Sequence, residues 1–193
     1  MKTTHHEEQR EITELGFWIY LMTDLMLFAA LFATFWVLRD GLNGGPSGHD
    51  LFDTQYALVE TILLLASSVA CGISFISLKF GKVKQSLWLL GATIALGLGF
   101  LGMEINEFMQ LIADGNGPNA SAFLSGFFTL VGTHGLHIAI GLLWAIILLL
   151  TLLRRKADQH LLRKFGLFTL FWHFLDLVWI FIFSVVYLIG GVS

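Results

Sequence analysis

Residues 123–153 read FLSGFFTLVGTHGLHIAIGLLWAIILLLTLL, a run without a single Lys, Arg, Asp or Glu. A bilayer core of about 30 Å needs about 20 residues of α-helix to cross it, so this stretch predicts a membrane-spanning helix. Four further stretches meet the same length, at about 16–38, 56–78, 86–111 and 165–189, giving five predicted spans in all. Composition agrees: 56% of the 193 residues are hydrophobic and 13% charged, far from the roughly 25% charged of an ordinary soluble domain. The fold class that follows is all-α and polytopic, a single five-helix transmembrane domain over residues 16–193 behind a polar tail of residues 1–15.

The segments between the spans carry turn and charge signals. DGLNGGPSGHD (40–50) and ADGNGPNAS (113–121) are Gly/Asn-rich, whereas KFGKVKQ (79–85) and RRKADQHLLRK (154–164) are basic. Pro46 and Pro118 both fall in loops, so no span requires a proline kink. Positive loops stay cytoplasmic. Lys2 and Arg10 precede the first span, Lys79, Lys82 and Lys84 lie between the second and third, and Arg154, Arg155, Lys156, Arg163 and Lys164 lie between the fourth and fifth, with Arg39 alone on the other side. The predicted orientation is N-terminus cytoplasmic and C-terminus periplasmic or external. The tail MKTTHHEEQREITEL lacks the apolar run and small-residue cleavage site of a secretory signal, so the first span is expected to direct insertion. Cys71 is the only cysteine, which excludes an intramolecular disulfide and a cysteine-cluster metal site. In the third span, Gly91, Ala95 and Gly99 form a small-residue row that predicts close approach of a neighbouring helix. No internal repeat of the kind found in many transporters is present.

Charged side chains in a span cost at least about 2.5–3.5 kcal/mol each, so their presence asks for a reason. Asp24 lies in the first span, Glu60 near the outer end of the second, Glu104 and Glu107 toward the outer end of the third, His134 and His137 in the fourth, and His173 and Asp176 in the fifth. The last three pairs are spaced three apart, which places each pair on one helix face and points it into a bundle interior. The three outer acids repel one another unless some are protonated or hydrogen-bonded. A b-type haem needs two axial histidines from facing helices, and a di-iron carboxylate bundle needs Glu-x-x-His pairs. Neither pattern is present: the acids form Glu-x-x-Glu and HGLH carries no carboxylate. Interhelical hydrogen bonding, lipid contact and proton handling remain as roles for these eight residues, with no catalytic, cofactor-binding or metal residue assigned. His5, His6, His49 and His160 fall in tails or loops and receive no role.

THGLHIAIG (133–141), WHFLDLVWIF (172–181) and GFWIYLMTDLMLF (16–28) resemble subunit III of haem-copper terminal oxidases. GGPSGHDLF (44–52), GFLGMEINEF (99–108) and the lack of two extra N-terminal helices bring the likeness nearest to the five-helix subunit of bo-type ubiquinol oxidases. The resemblance runs from about Gly16 to Ile189. It implies an accessory role in a proton-translocating respiratory complex that oxidises quinol and reduces oxygen in a bacterial plasma membrane. Haem and copper are then expected in subunit I, with subunit II, a small subunit IV where the complex has one, and phospholipid as further partners. It also implies a V-shaped bundle, the first two helices on one side and the last three on the other, with phospholipid in the cleft. Asp24 stands where longer relatives carry a glutamate linked to lipid binding and sustained proton uptake; Glu104, Glu107, His134, His137, His173 and Asp176 match positions of the family's motifs. Two other readings stay open from the residues themselves: a small transporter or proton channel using Asp24 and the paired residues, and a membrane b-type cytochrome. The absence of a haem-ligand pattern leads us to expect no Soret band in the absorption spectrum of the isolated chain, and a strong one would establish the cytochrome.

Overall fold

The computed structural model describes residues 2–39, 54–154 and 158–189, with side chains from residue 12 onward. Among these residues five helices are formed: α1 (Lys2–Leu38), α2 (Thr54–Lys79), α3 (Val83–Ala113), α4 (Ala122–Arg154) and α5 (Gln159–Ile182), the last continuing as a π-helix over Phe183–Ile189. All five are long and apolar enough to cross a membrane. The loop of residues 40–53, with Pro46 and His49, lies outside the described residues.

The helix ends have local causes. Gly81, at φ +74°, closes α2: its N–H donates to the Leu78 carbonyl and that of Lys82 to the Ser77 carbonyl, a paired cap that a residue with a Cβ adopts poorly. Gly115, at φ +81°, ends α3 in the same way through Ile112 and Leu111. Ser121 caps α4 by accepting from Leu124 N–H at 3.1 Å, and Asp158 caps α5 by accepting from Leu161 N–H at 2.7 Å. That second cap explains why α5 starts before the predicted residue 165, and why His160 sits in its first turn rather than in a loop. Hydropathy sees where apolar residues begin, whereas the helix begins where its first N–H groups find an acceptor. Likewise α1 runs from Lys2 through most of the predicted tail.

Packing follows a ring: α2 lies along α3, α3 against α4, α4 against α5, and α5 back against α2, while α1 rests on α4 and α5. These neighbours differ from the two-plus-three grouping implied by the resemblance, since the main partners of α1 are α4 and α5, not α2. The hydrogen bonds give the reason. Serines on α2 bond into α3 and α5, and the acid of α1 bonds into α4.

Trp172 occupies the centre of the ring. A Cβ added at Gly97 would stand 3.1 Å from its indole, and one at Gly141 would stand 2.8 Å from it, so glycines of α3 and α4 make the slot that the ring fills. Its Nε1–H donates to Ser67 Oγ at 3.1 Å, and that hydroxyl donates onward to the Thr93 carbonyl at 3.1 Å. Between helices in lipid there is little hydrophobic drive, so close contact and such bonds carry the association. The row Gly91, Ala95 and Gly99 does not serve this purpose: Ala95 and Gly99 are exposed, and no atom would lie within 4 Å of a Cβ at Gly91. The buried face of α3 is instead the one bearing Leu90, Thr93, Gly97, Phe100 and Glu104, turned there because its polar members need partners. Overpacking a filled core costs about 1–3 kcal/mol. Gly97→Val and Gly141→Val are therefore expected to lower the thermal resistance of the detergent-solubilised chain, and Gly99→Val, facing only Leu63 Cδ1 at 3.8 Å, to leave it unchanged.

Candidate functional site

The eight ionisable residues singled out in the sequence gather into three polar groups. In the first, Asp24 of α1, 6% exposed, meets His137 of α4, with Oδ1 and Nε2 3.1 Å apart. The other ring nitrogen of His137 lies 2.7 Å from the Thr133 carbonyl, which can only accept, so Nδ1 carries a hydrogen. Direct contact between an acid and an imidazole is the kind of pairing that lets both be held in a low dielectric. The Phe28 ring, centred 5.3 Å from the imidazole, lies beside this pair.

The second group lies at the far ends of α2 and α3 from the basic turn. Glu60 is fully buried, Glu104 nearly so, and the three carboxyls of Glu60, Glu104 and Glu107 are within electrostatic reach of one another. Glu107 Oε2 accepts from the Tyr187 hydroxyl at 2.8 Å. Glu104 presses into the notch over Gly135, where a Cβ would fall 2.9 Å from its carboxyl carbon; the glycine inside HGLH is thus what admits this acid between α3 and α4. Beside it His134, 0% exposed, stacks on Trp179 at 5.4 Å and meets Phe100 edge-on at 5.9 Å. Tyr56 donates to the Met103 carbonyl at 3.0 Å and accepts from Asn106 Nδ2 at 3.4 Å.

The third group joins α2 to α5: Ser68 Oγ lies 2.6 Å from His173 Nδ1 and also bonds Asp176. His173 sits over Gly72, whose added Cβ would be 3.5 Å from Nε2, and its outer side is exposed. Spacing thus placed the pairs on common faces but not toward common partners. His137 reaches α1 while His134 is enclosed by rings of α1, α3 and α5, and His173 is not interior. Tyr187, Ser68, Tyr56 and Asn106 were not anticipated. Tyr187 is carried inward by the π-helical end of α5, which no periodicity at 3.6 residues would reveal.

Several buried polar atoms have no hydrogen-bond partner among the described residues: Asp24 Oδ2, both oxygens of Glu60, Glu104 Oε2, both nitrogens of His134 and Asp176 Oδ1. Among the described residues no three His, Cys, Asp or Glu side chains are arranged to hold a metal ion.

Spanning helices around acid, histidine and hydroxyl groups that bond across helix seams define a polytopic membrane protein with an ionisable interior. The chain matches the cytochrome c oxidase subunit III family over residues 1–191 and belongs to that family. It is 50% identical over 187 residues to the cytochrome bo(3) ubiquinol oxidase subunit 3 of Pseudomonas aeruginosa, covering 97% of this chain and 90% of that one. It is also 43% identical to the quinol oxidase subunit 3 of Bacillus spizizenii, over 96% of this chain and 91% of the relative. With the cytochrome c oxidase subunit 3 of Bacillus sp. PS3 it shares 46% identity over 93% of this chain and 86% of that one.

Because Asp24 and His137 bond directly, their substitutions are not independent. A double-mutant cycle of Asp24→Ala and His137→Ala is expected to give a coupling of about 0.6–1.7 kcal/mol in a reversible unfolding assay in detergent or bicelles. Additive losses would mean that the bond contributes nothing.

Proposed function

We propose that this chain is the third subunit of a proton-translocating terminal quinol oxidase in a bacterial plasma membrane, where it supports the catalytic subunit without itself carrying electrons. The observation that carries this reading is its near-complete alignment, at 50% identity, with a subunit named for ubiquinol oxidation. The chemistry of the site agrees: two of its three intramembrane histidines have a ring nitrogen engaged by a neighbouring oxygen, and the third is enclosed by Trp179 and Phe100. Haem and copper belong, on this reading, to subunit I, against which this chain packs, with subunit II and any small fourth subunit completing the complex. Quinol is favoured as electron donor because the bo(3) and quinol oxidase names accompany relatives aligned over nearly the whole chain. The lysines and arginines clustered at one end of the bundle support a cytoplasmic N-terminus.

The apolar outer surface of α1, with Trp18, Met26 and Trp36 exposed, supports phospholipid or a partner subunit against that helix. Asp24 and His137 then act as a latch that holds α1 to the ring, with Asp24 Oδ2 left free to accept from a water or a lipid headgroup.

Removing this chain from cells is expected to leave subunit I with its full haem and copper content while shortening the working life of the purified oxidase. Loss of both from a correctly assembled subunit I would overturn the accessory role. Asp24→Ala is expected to keep haem content intact and to change bound lipid or sustained turnover; an unchanged lipid complement together with an unchanged turnover lifetime would remove the role given to Asp24. The transporter reading is separated by reconstituting the isolated chain in liposomes, where we expect no ion flux.

A further inference from the structure

Across the antiparallel seam of α2 and α3 the hydroxyls of Ser74 and Ser86 meet at 3.1 Å, and two turns further from the basic turn Ser67 donates to the Thr93 carbonyl at 3.1 Å. Another step of the same length sets Glu60 opposite Phe100, with Glu104 one turn beyond it on α3. Glu60 is 0% exposed, and neither of its oxygens has a hydrogen-bond partner among the described residues. The same is true of Glu104 Oε2 and of both ring nitrogens of the fully buried His134. His134 precedes Gly135, the glycine against which the Glu104 carboxyl rests, and its ring lies beside Trp179 and the same Phe100 that faces Glu60. Unmet polar atoms of α2, α3 and α4 thus converge on one part of the interior.

The donors around them are committed elsewhere. The Trp179 Nε1–H goes to Thr61 Oγ1 at 3.0 Å, the Tyr187 hydroxyl to Glu107 at 2.8 Å and the Tyr56 hydroxyl to the Met103 carbonyl at 3.0 Å. Leu64, 1% exposed, lies one turn deeper on α2, and the Tyr187–Glu107 bond lies on the opposite side, so the region is enclosed. Whatever its tautomer, an imidazole has at least one N–H to donate, and aromatic faces do not replace the bonds that it and a carboxyl make in water.

We propose that this interior is a water-binding site: a small cluster of water molecules enclosed by α2, α3, α4 and α5 and hydrogen-bonded to Glu60, Glu104 and His134. Water both donates and accepts, which a carboxyl and an imidazole together require, and a buried water ordinarily makes about three bonds to groups otherwise unmet. A larger ligand has no access to Glu60 and His134, and no three His, Cys, Asp or Glu among the described residues are arranged for a metal ion. Asp24 and Asp176 supply the contrast: their unmet oxygens belong to residues 6% and 8% exposed, at seams that open outward. Water at the enclosed site joins acids of α2 and α3 to an imidazole of α4, a connection that no printed side-chain bond supplies. The inference rests on burial and unmet bonding, and goes beyond the oxidase assignment.

The test begins with the wild-type chain purified with its partner subunits and imaged by cryo-electron microscopy at a resolution that shows ordered water. Density is expected within hydrogen-bond distance of Glu60 and of Glu104 or His134; a dry interior in a map that shows waters elsewhere inside the protein overturns the proposal. Substitution gives a second reading through the sign of a thermal shift. With water present, Glu60→Leu takes a partner from the cluster and is expected to lower the melting temperature by about 2–4 °C or more for each bond left unmade. Glu60→Gln, which keeps an acceptor and adds donors, is expected to retain most of the wild-type value. In a dry interior the leucine would remove an orphaned carboxyl and raise the melting temperature. A rise in Glu60→Leu, or equal values for the leucine and glutamine variants, therefore overturns the site. Should the leucine variant fail to assemble, the wild-type map decides.

Discussion

Inside a bilayer no water stands ready to accept a hydrogen bond, and nearly everything about this bundle follows from that. Helices satisfy their own backbones, so the polar side chains decide which helix lies against which. Ser67 and Ser68 of α2 bond toward α3 and α5, Thr61 accepts from Trp179, Asp24 joins α1 to α4, and Tyr187 returns to Glu107. Each seam of the ring has a polar clasp or a glycine slot, and α1, clasped to α4 through Asp24, rests on the ring from outside.

The number of spans was legible because crossing about 30 Å of hydrocarbon leaves a length of apolar sequence that little else produces. The faces of Glu104 with Glu107 and of His134 with His137 were legible through helical periodicity, and the motifs around them carried the family. Spatial partners were not. Nothing in the surroundings of Asp24 names His137, because the order of helices around a ring is set by contacts that the sequence distributes over five segments. The small-residue row of α3 misled for a related reason. A stripe of glycine and alanine permits close approach but does not compel it, and the face of α3 bearing Thr93, Gly97 and Glu104 had the stronger demand for neighbours.

Glycines inside the bundle act as sites for other residues' side chains. Gly97 and Gly141 accommodate Trp172, Gly135 accommodates Glu104, and Gly72 underlies His173. In each case a polar or aromatic group that would hold helices apart is admitted without loosening the packing. The THGLH motif can be understood in this way: two histidines facing different neighbours, with a glycine between them whose absent side chain leaves room for an acid of α3.

The turn between α2 and α3 is only Phe80, Gly81 and Lys82 long, and its glycine cap fixes the exit angle. Such a short link ties the two helices into one hairpin. Glu60 on one arm and Glu104 and Glu107 on the other lie at the end remote from the lysine-bearing tip. The acids least suited to hydrocarbon therefore belong to the two arms of a single hairpin, within electrostatic reach of one another. Lengthening the turn would free the arms to slide past one another and carry those acids out of register.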